Sequence, residues 1–257
     1  MFEISIDQLY LWIGQYAWPF CRIAAFFMAM PILSTQLVPT RIRLGLAVAV
    51  TLVVAPVIEP VPMVELLSIE SIMIILQQIL IGVTMGFVLQ LLFQVFVIGG
   101  QIVAMQNGLG FAMMVDPVNG VSVASISQLY LMTVNLLFFV FNGHLAVIYL
   151  VGTSFEQLPI GMLGLPIDNY RQVADLGSWM FTGSVLVALP SIIALLVVNV
   201  AFGVISRVAP QMNIIAVGFP FTMVLGLVII WLTLSNIAPQ YDSLSADAFE
   251  YLRQMVI

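Results

Sequence analysis

Six apolar stretches, at roughly residues 9–33, 44–58, 69–103, 125–151, 174–208 and 213–238, set the terms on which this chain can fold. Backbone groups in lipid must bond internally, so such runs are helices or strands of a closed barrel. The alternating pattern of a barrel strand is absent. Only 7% of residues are charged, against about 25% in a soluble domain, which is too few to coat a water-facing surface. The chain therefore reads as an all-α polytopic integral membrane protein. About six long hydrophobic helices are arranged as hairpins, with a Gly-rich re-entrant loop. The notable lengths are the second and third runs. Residues 44–58 are short for a span, with Pro56 near their end. Residues 69–103 would reach about 52 Å as one helix, against a hydrocarbon core of about 30 Å. Tilt, a break near Gly82 and Gly86, or protrusion from the bilayer would reconcile that length.

Charge narrows the function classes. The formal net charge is −6, all six basic residues are arginines, and no basic stripe exists. A nucleic-acid role has no electrostatic footprint. The single cysteine, Cys21, excludes an internal disulfide and a Cys-rich metal site. The first residues, Met1 to Asp7, are acidic where a signal peptide would be basic, which predicts that the first apolar run is kept as a span. Arg41, Arg43 and Arg207 fall in odd-numbered loops, while most acids fall in even loops and at the termini. The positive-inside rule then predicts both termini on the periplasmic side. The tail 243–257 reads as a short amphipathic helix, with Leu244, Ala248, Leu252 and Met255 on one face.

Uncharged polar residues form stripes inside the apolar runs. Gln90, Gln94 and Gln101 lie within about 40° of one another at helical periodicity. Gln128, Asn135 and Asn142 follow at intervals of seven in the next run. Such amides either join helices by hydrogen bonds or line a polar conduit; both readings turn these faces toward protein or water. Arg22 lies inside the first run behind Pro19, where a charge is costly and functional by default, unless it snorkels to an interface. His144, the only histidine, has no motif around it for a metal site or a catalytic triad, and no phosphate loop is present. No cofactor and no enzymatic activity are expected. Pro190 and Pro220 interrupt the last spans and predict kinks there.

Between the stripes, residues 99–120 hold five glycines, an Asp-Pro and an Asn-Gly, which predict breaks in any helix. The stretch is nevertheless apolar, and non-helical backbone at membrane depth survives only inside protein or a water-filled cavity. A loop turning back into such a space is predicted at about 104–120. Its candidate constriction residues are Gly108, Gly110, Phe111, Met113, Met114, Asp116 and Pro117. Methionine repacks easily, and apolar constrictions can gate by dewetting. The plain alternative is an inert packed loop.

Several motifs in order resemble the FliR family of flagellar type III export-gate membrane proteins. Arg22-Ile23 leads through Pro31 and Ser34 to Val38-Pro39-Thr40-Arg41-Ile42-Arg43. Gly108-Leu109-Gly110-Phe111-Ala112 precedes Asp116-Pro117; Phe141-Asn142-Gly143-His144-Leu145 precedes Leu158-Pro159-Ile160-Gly161; and Pro210-Gln211-Met212-Asn213-Ile214 precedes Gly218-Phe219-Pro220. The resemblance implies a FliP-like part, 1–172, with four helices and the loop, and a FliQ-like helical hairpin, 173–257. It implies a hetero-oligomer with FliP-type and FliQ-type subunits, FlhB-type and FlhA-type proteins nearby, and unfolded rod, hook and filament proteins as cargo. It places the assembly in the bacterial inner membrane at the flagellar basal body, raised toward the periplasm, which would account for the overlong third run. It makes the glycine-rich stretch a pore plug, with Phe111 at the constriction. Met114 stands where the family would carry a second aromatic. A small-molecule secondary transporter is the alternative, although the chain shows neither paired intramembrane acids nor a clear internal repeat.

Overall fold

The computed structural model describes residues 6–35, 37–59, 61–65, 68–110, 113–115, 122–162, 164–208 and 214–256. Helices α1 (Ile6–Ala29), α2 (Thr40–Val54) and α3 (Ile69–Gln106) come first. Two short strands follow, β1 (Met113–Val115) and β2 (Ser122–Ala124). Helices α4 (Ser125–Val140), α5 (Gly143–Gln157), α6 (Ile167–Val208) and α7 (Ile214–Thr233) come next, then a 3-10 turn (Leu234–Asn236) and α8 (Ile237–Val256). The chain forms two compact units, which divide as Met1–Gln90, Asn142–Leu176 and Asp247–Ile257 in the first, Leu91–Phe141 and Gly177–Ala246 in the second. This division cuts through the continuous helices α3, α6 and α8.

The architecture is that of an all-α membrane protein. Among the described residues, three stretches are long and apolar enough to cross a membrane: Ile69–Gln106, Ile167–Ile205 and Pro220–Met255. A fourth crossing results if α4 and α5 count together as one broken span. Helix α2, with 15 residues, reaches only about 23 Å.

In the first unit, α3 does not break at Gly82 and Gly86. Its helix is continuous there, and both glycines serve packing. A Cβ at Gly82 would overlap the Arg22 backbone carbonyl and fall 3.0 Å from the Ala25 Cβ. One at Gly86 would fall 3.0 Å from the Phe26 carbonyl and press on Ala29. The pair 82 and 86 thus faces the small residues 25 and 29 of α1, the small-xxx-small seam that lets helix backbones approach in lipid. Ile23, Phe26, Ile81 and Met85 are buried around this seam. The Gln15 side chain of α1 donates to the Ala55 carbonyl at 2.7 Å, just past the end of α2. A helix end leaves such carbonyls without intrahelical partners, so this bond caps α2 from outside.

In the second unit, α3 also passes straight through Gly99 and Gly100, where a break was predicted. A Cβ at Gly99 would lie 3.1 Å from the Val187 side chain and 3.2 Å from the Ser184 carbonyl of α6; one at Gly100 would lie 2.7 Å from the Ser127 Cα of α4. Here glycine creates contact surface and costs only helix propensity, about 1 kcal/mol each. Phe96 and Phe141 both pack on the buried ring of Tyr241, at centroid distances of 6.1 and 5.7 Å.

The predicted fourth span is broken at Phe141–Asn142, where Asn142 takes a left-handed φ of 55°. Asparagine tolerates that conformation better than other non-glycine residues. Helix α6 runs through Pro190 and α7 contains Pro220. The predicted tail helix begins earlier than residue 243, at Ile237. Its face Ala248, Leu252 and Met255 is buried, while Asp247, Glu250 and Arg253 are exposed. The Asn169 side chain donates to the Met255 carbonyl at 2.7 Å, so this tail is held by its own chain.

The α1–α3 seam makes a direct prediction. Gly82→Val should drive the two helices apart at a cost of about 1–3 kcal/mol, read as a lower melting temperature of the detergent-purified chain. Gly45→Ala, where nothing lies within 4 Å of the new Cβ, should melt no lower than the parent. Equal melting of all three proteins would refute the seam.

Candidate functional site

The predicted re-entrant segment begins with a helix stop of defined geometry. Gly108 takes a φ of 73°. Its N–H donates to the Met105 carbonyl at 3.2 Å, and the Leu109 N–H reaches back to the Ala104 carbonyl at 2.9 Å. These two bonds form a Schellman cap, with glycine at the left-handed position the motif needs. The chain then enters a feature the sequence reading lacked: β1 pairs antiparallel with β2, matching Met113 with Ala124, Met114 with Val123 and Val115 with Ser122. Met113 and Met114 are 53% and 49% exposed, so neither side chain is used in this chain's own core. Gly110 is half-buried beside Met105. Phe111, Asp116 and Pro117 lie outside the described residues.

Both legs of this ribbon are rooted in helices. The first rises from the cap on α3. The second runs directly into α4, where Ala124 is fully buried and Ser127 sits against Gly100. The Ser127 hydroxyl also donates to Gln101 Oε1 at 3.4 Å. Close backbone packing and a side-chain bond therefore hold α4's first turn to the last turns of α3.

The other candidate polar residues separate into distinct environments. Gln128 is buried, and its Oε1 lacks a partner among the described residues. Gln90, Gln94 and Asn135 are half-buried, while Asn142 is exposed at the helix break. Arg22 is completely buried and heavily bonded. Its Nε donates to Gln78 Oε1 at 2.8 Å, Nη1 donates to the Ser154 carbonyl at 2.9 Å and hydroxyl at 3.1 Å, and Nη2 donates to the Leu158 carbonyl at 2.7 Å. The guanidinium carbon also lies 4.1 Å from the centroid of the Phe155 ring. Arginine's planar fork suits this many-sided bonding. The group therefore joins α1, α3 and the end of α5 and does not snorkel. Gln77 Nε2 bonds the Met162 carbonyl nearby, so side chains of α1 and α3 hold the segment 158–162 at two points.

Two further features escaped sequence reasoning. Gln78 and Ser154 receive Arg22, yet nothing in their local patterns distinguishes them from other polar residues in apolar helices. Likewise, the Ser191 and Thr233 hydroxyls lie 3.2 Å apart. This pair ties α6 to α7 in the second unit. Hydroxyls that also back-bond to their own helix, as Thr233 does to the Ile229 carbonyl, are cheap to bury and leave no sequence signal.

Among the described residues, no group of three or more His, Cys, Asp or Glu could hold a metal ion. Long apolar helices, polar groups turned inward and a capped methionine ribbon define a polytopic α-helical membrane protein. The family described as Bacterial export proteins, family 1, matches residues 13–248, and the chain belongs to it. It is 35% identical to the flagellar biosynthetic protein FliR of Escherichia coli K12, covering 100% of this chain and 98% of that one. It is also 35% identical to FliR of Pectobacterium carotovorum, over 95% and 94% of the two chains. Similarity extends to FliR of Aquifex aeolicus at 30% identity, over 91% of each chain.

Arg22→Ala should strand the Gln78 oxygen and the Leu158 carbonyl, at about 1–3 kcal/mol for each buried group left unpaired. Limited proteolysis should then cut faster within 158–165. Arg22→Lys should recover only part of the protection, because an ammonium cannot reach all three sites. Full protection in the lysine variant would overturn the fork-geometry argument.

Proposed function

We propose that this chain is a subunit of a flagellar type III protein export gate, where it helps form and seal the pore that passes unfolded rod, hook and filament proteins. The observation that carries this reading is the similarity to flagellar FliR proteins over essentially the full length of both chains. The transporter alternative draws no support from these relatives. Work in this reading is conformational: the ribbon with Met113 and Met114, together with Gly108, Gly110, Phe111, Asp116 and Pro117, closes the resting pore against ions and water. An arriving chain displaces it. Energy is supplied elsewhere, and this subunit is no enzyme.

The exposed apolar faces support assembly with further subunits. About half of the most apolar window of α3 is buried within the chain, but only 22% of that in α6 and 17% of that in Pro220–Met255. These helices must meet lipid or other subunits. Residues 173–257 then act as a FliQ-like hairpin beside FliQ-type subunits, and residues 1–172 as a FliP-like part beside FliP-type subunits. FlhB-type and FlhA-type proteins complete the surroundings. Gln90, Gln94, Gln101, Gln128, Asn135 and Asn142 supply polar contacts between helices or subunits. The assembly sits in the inner membrane at the basal body, raised toward the periplasm.

Native mass spectrometry of the tagged chain in mild detergent tests the assembly. One copy with several copies of two smaller hydrophobic proteins is expected; a monomer or homodimer from cells expressing those partners would sink the gate reading. Deleting residues 110–115 tests the plug separately. Resting cells should become leaky to ions, and unchanged conductance in an assembled complex would remove the plug role.

A further inference from the structure

Asn107 is the last residue before the left-handed Gly108, so the Schellman cap fixes its backbone. Its side chain is only 2% exposed. Both Oδ1 and Nδ2 are buried without a hydrogen-bond partner among the described residues. An amide in that state carries its desolvation penalty uncompensated. Simple packing would favour an apolar residue here.

The amide is instead seated on Gly226, a buried glycine of α7. A Cβ built on Gly226 would overlap Oδ1, Cγ and Nδ2 of Asn107 together. Any larger residue at 226 would have to displace this side chain from its present position. Beyond it, Gly108, Leu109 and Gly110 are only half-buried, and Met113 and Met114 are exposed. Asn107 is thus the last buried side chain among the described residues on the α3 leg before the ribbon.

We infer that Asn107, seated on Gly226, is a positioning residue for the seal: it sets where the ribbon leaves α3 by locking the root of that leg to α7. This inference rests on the plug reading above. Gly226 supplies the hole, the amide supplies the knob, and the cap fixes the backbone from which the knob projects. The overlap that any Cβ at 226 would make with the amide gives Asn107 a steric role, so size rather than polarity should decide its effect.

A size exchange in the whole export complex tests this, with resting ion flux measured in cells and complex yield measured in parallel by native mass spectrometry. Gly226→Ala should raise flux severalfold in complexes of parental yield. Asn107→Ala alone should raise it less, by leaving a void. The double variant should return toward the parental flux, since the substitution at 107 removes all three atoms that the new Cβ would strike. A merely structural defect would lower yield without this reciprocal rescue. Parental flux in assembled Gly226→Ala complexes, or equal leakage in the Gly226→Ala and double variants, would overturn the inference. Should Gly226→Ala fail to assemble, the double variant must still be tighter than Asn107→Ala; otherwise the inference fails. Leakage on deletion of 110–115 without any response to the 107 and 226 variants would reject this contact and leave the plug reading standing.

Discussion

Contact between backbones, permitted by glycine, is what the rest of this structure depends on. Lipid tails are as apolar as leucine, so no hydrophobic effect drives one membrane helix against another. Attraction must come from many short-range atomic contacts, and these weaken quickly with even a small gap. Helix α3 meets that requirement in each unit by different means. In the first, Gly82 and Gly86 admit the backbone of α1; in the second, Gly99 admits α6 and Gly100 admits α4. The same residues that look like helix breakers are therefore the points at which α3 is held most closely.

Polar groups supply direction where packing supplies closeness. Arg22 has no acidic partner among the described residues; it is neutralised in effect by carbonyls, an amide oxygen, a hydroxyl and an aromatic face. These partners come from helices distant in sequence, so one buried charge specifies a three-way arrangement that apolar side chains alone would leave ambiguous. The Ser191 and Thr233 hydroxyls do comparable work without charge between α6 and α7. By contrast, the single ion pair given by the described residues, Arg171 with Asp168, is exposed at both ends and specifies little.

Much of this was legible in the sequence because lipid solvation is a severe filter. Run length and the absence of charge were enough to define helices, and the turn residues within 99–120 pointed to a helix stop in that stretch. The glycines at 99 and 100 were misread as breaks, and a break at 82 and 86 was one of three readings left open, for a physical reason. Glycine weakens a helix by propensity but strengthens a helix pair by proximity, and only the position of the neighbour decides between them. Asn142 was read as part of a polar stripe, whereas its described feature is a backbone conformation. The β-ribbon was invisible because Met113 to Val115 is too short to show alternation. The partners of Arg22 could not be seen because their pairing spans 56 to 136 residues of sequence.

The break at Asn142 bears on how such a protein enters the membrane at all. Helices α4 and α5, with 16 and 15 residues, reach about 24 and 23 Å, each short of the hydrocarbon thickness. Neither half makes a stable independent crossing on emergence from the ribosome, and α2 shares the same deficit. Insertion of these segments cannot be completed one helix at a time. It must be cooperative, with the short segments completed by packing against the long helices, so biosynthesis and tertiary packing in this chain become one process.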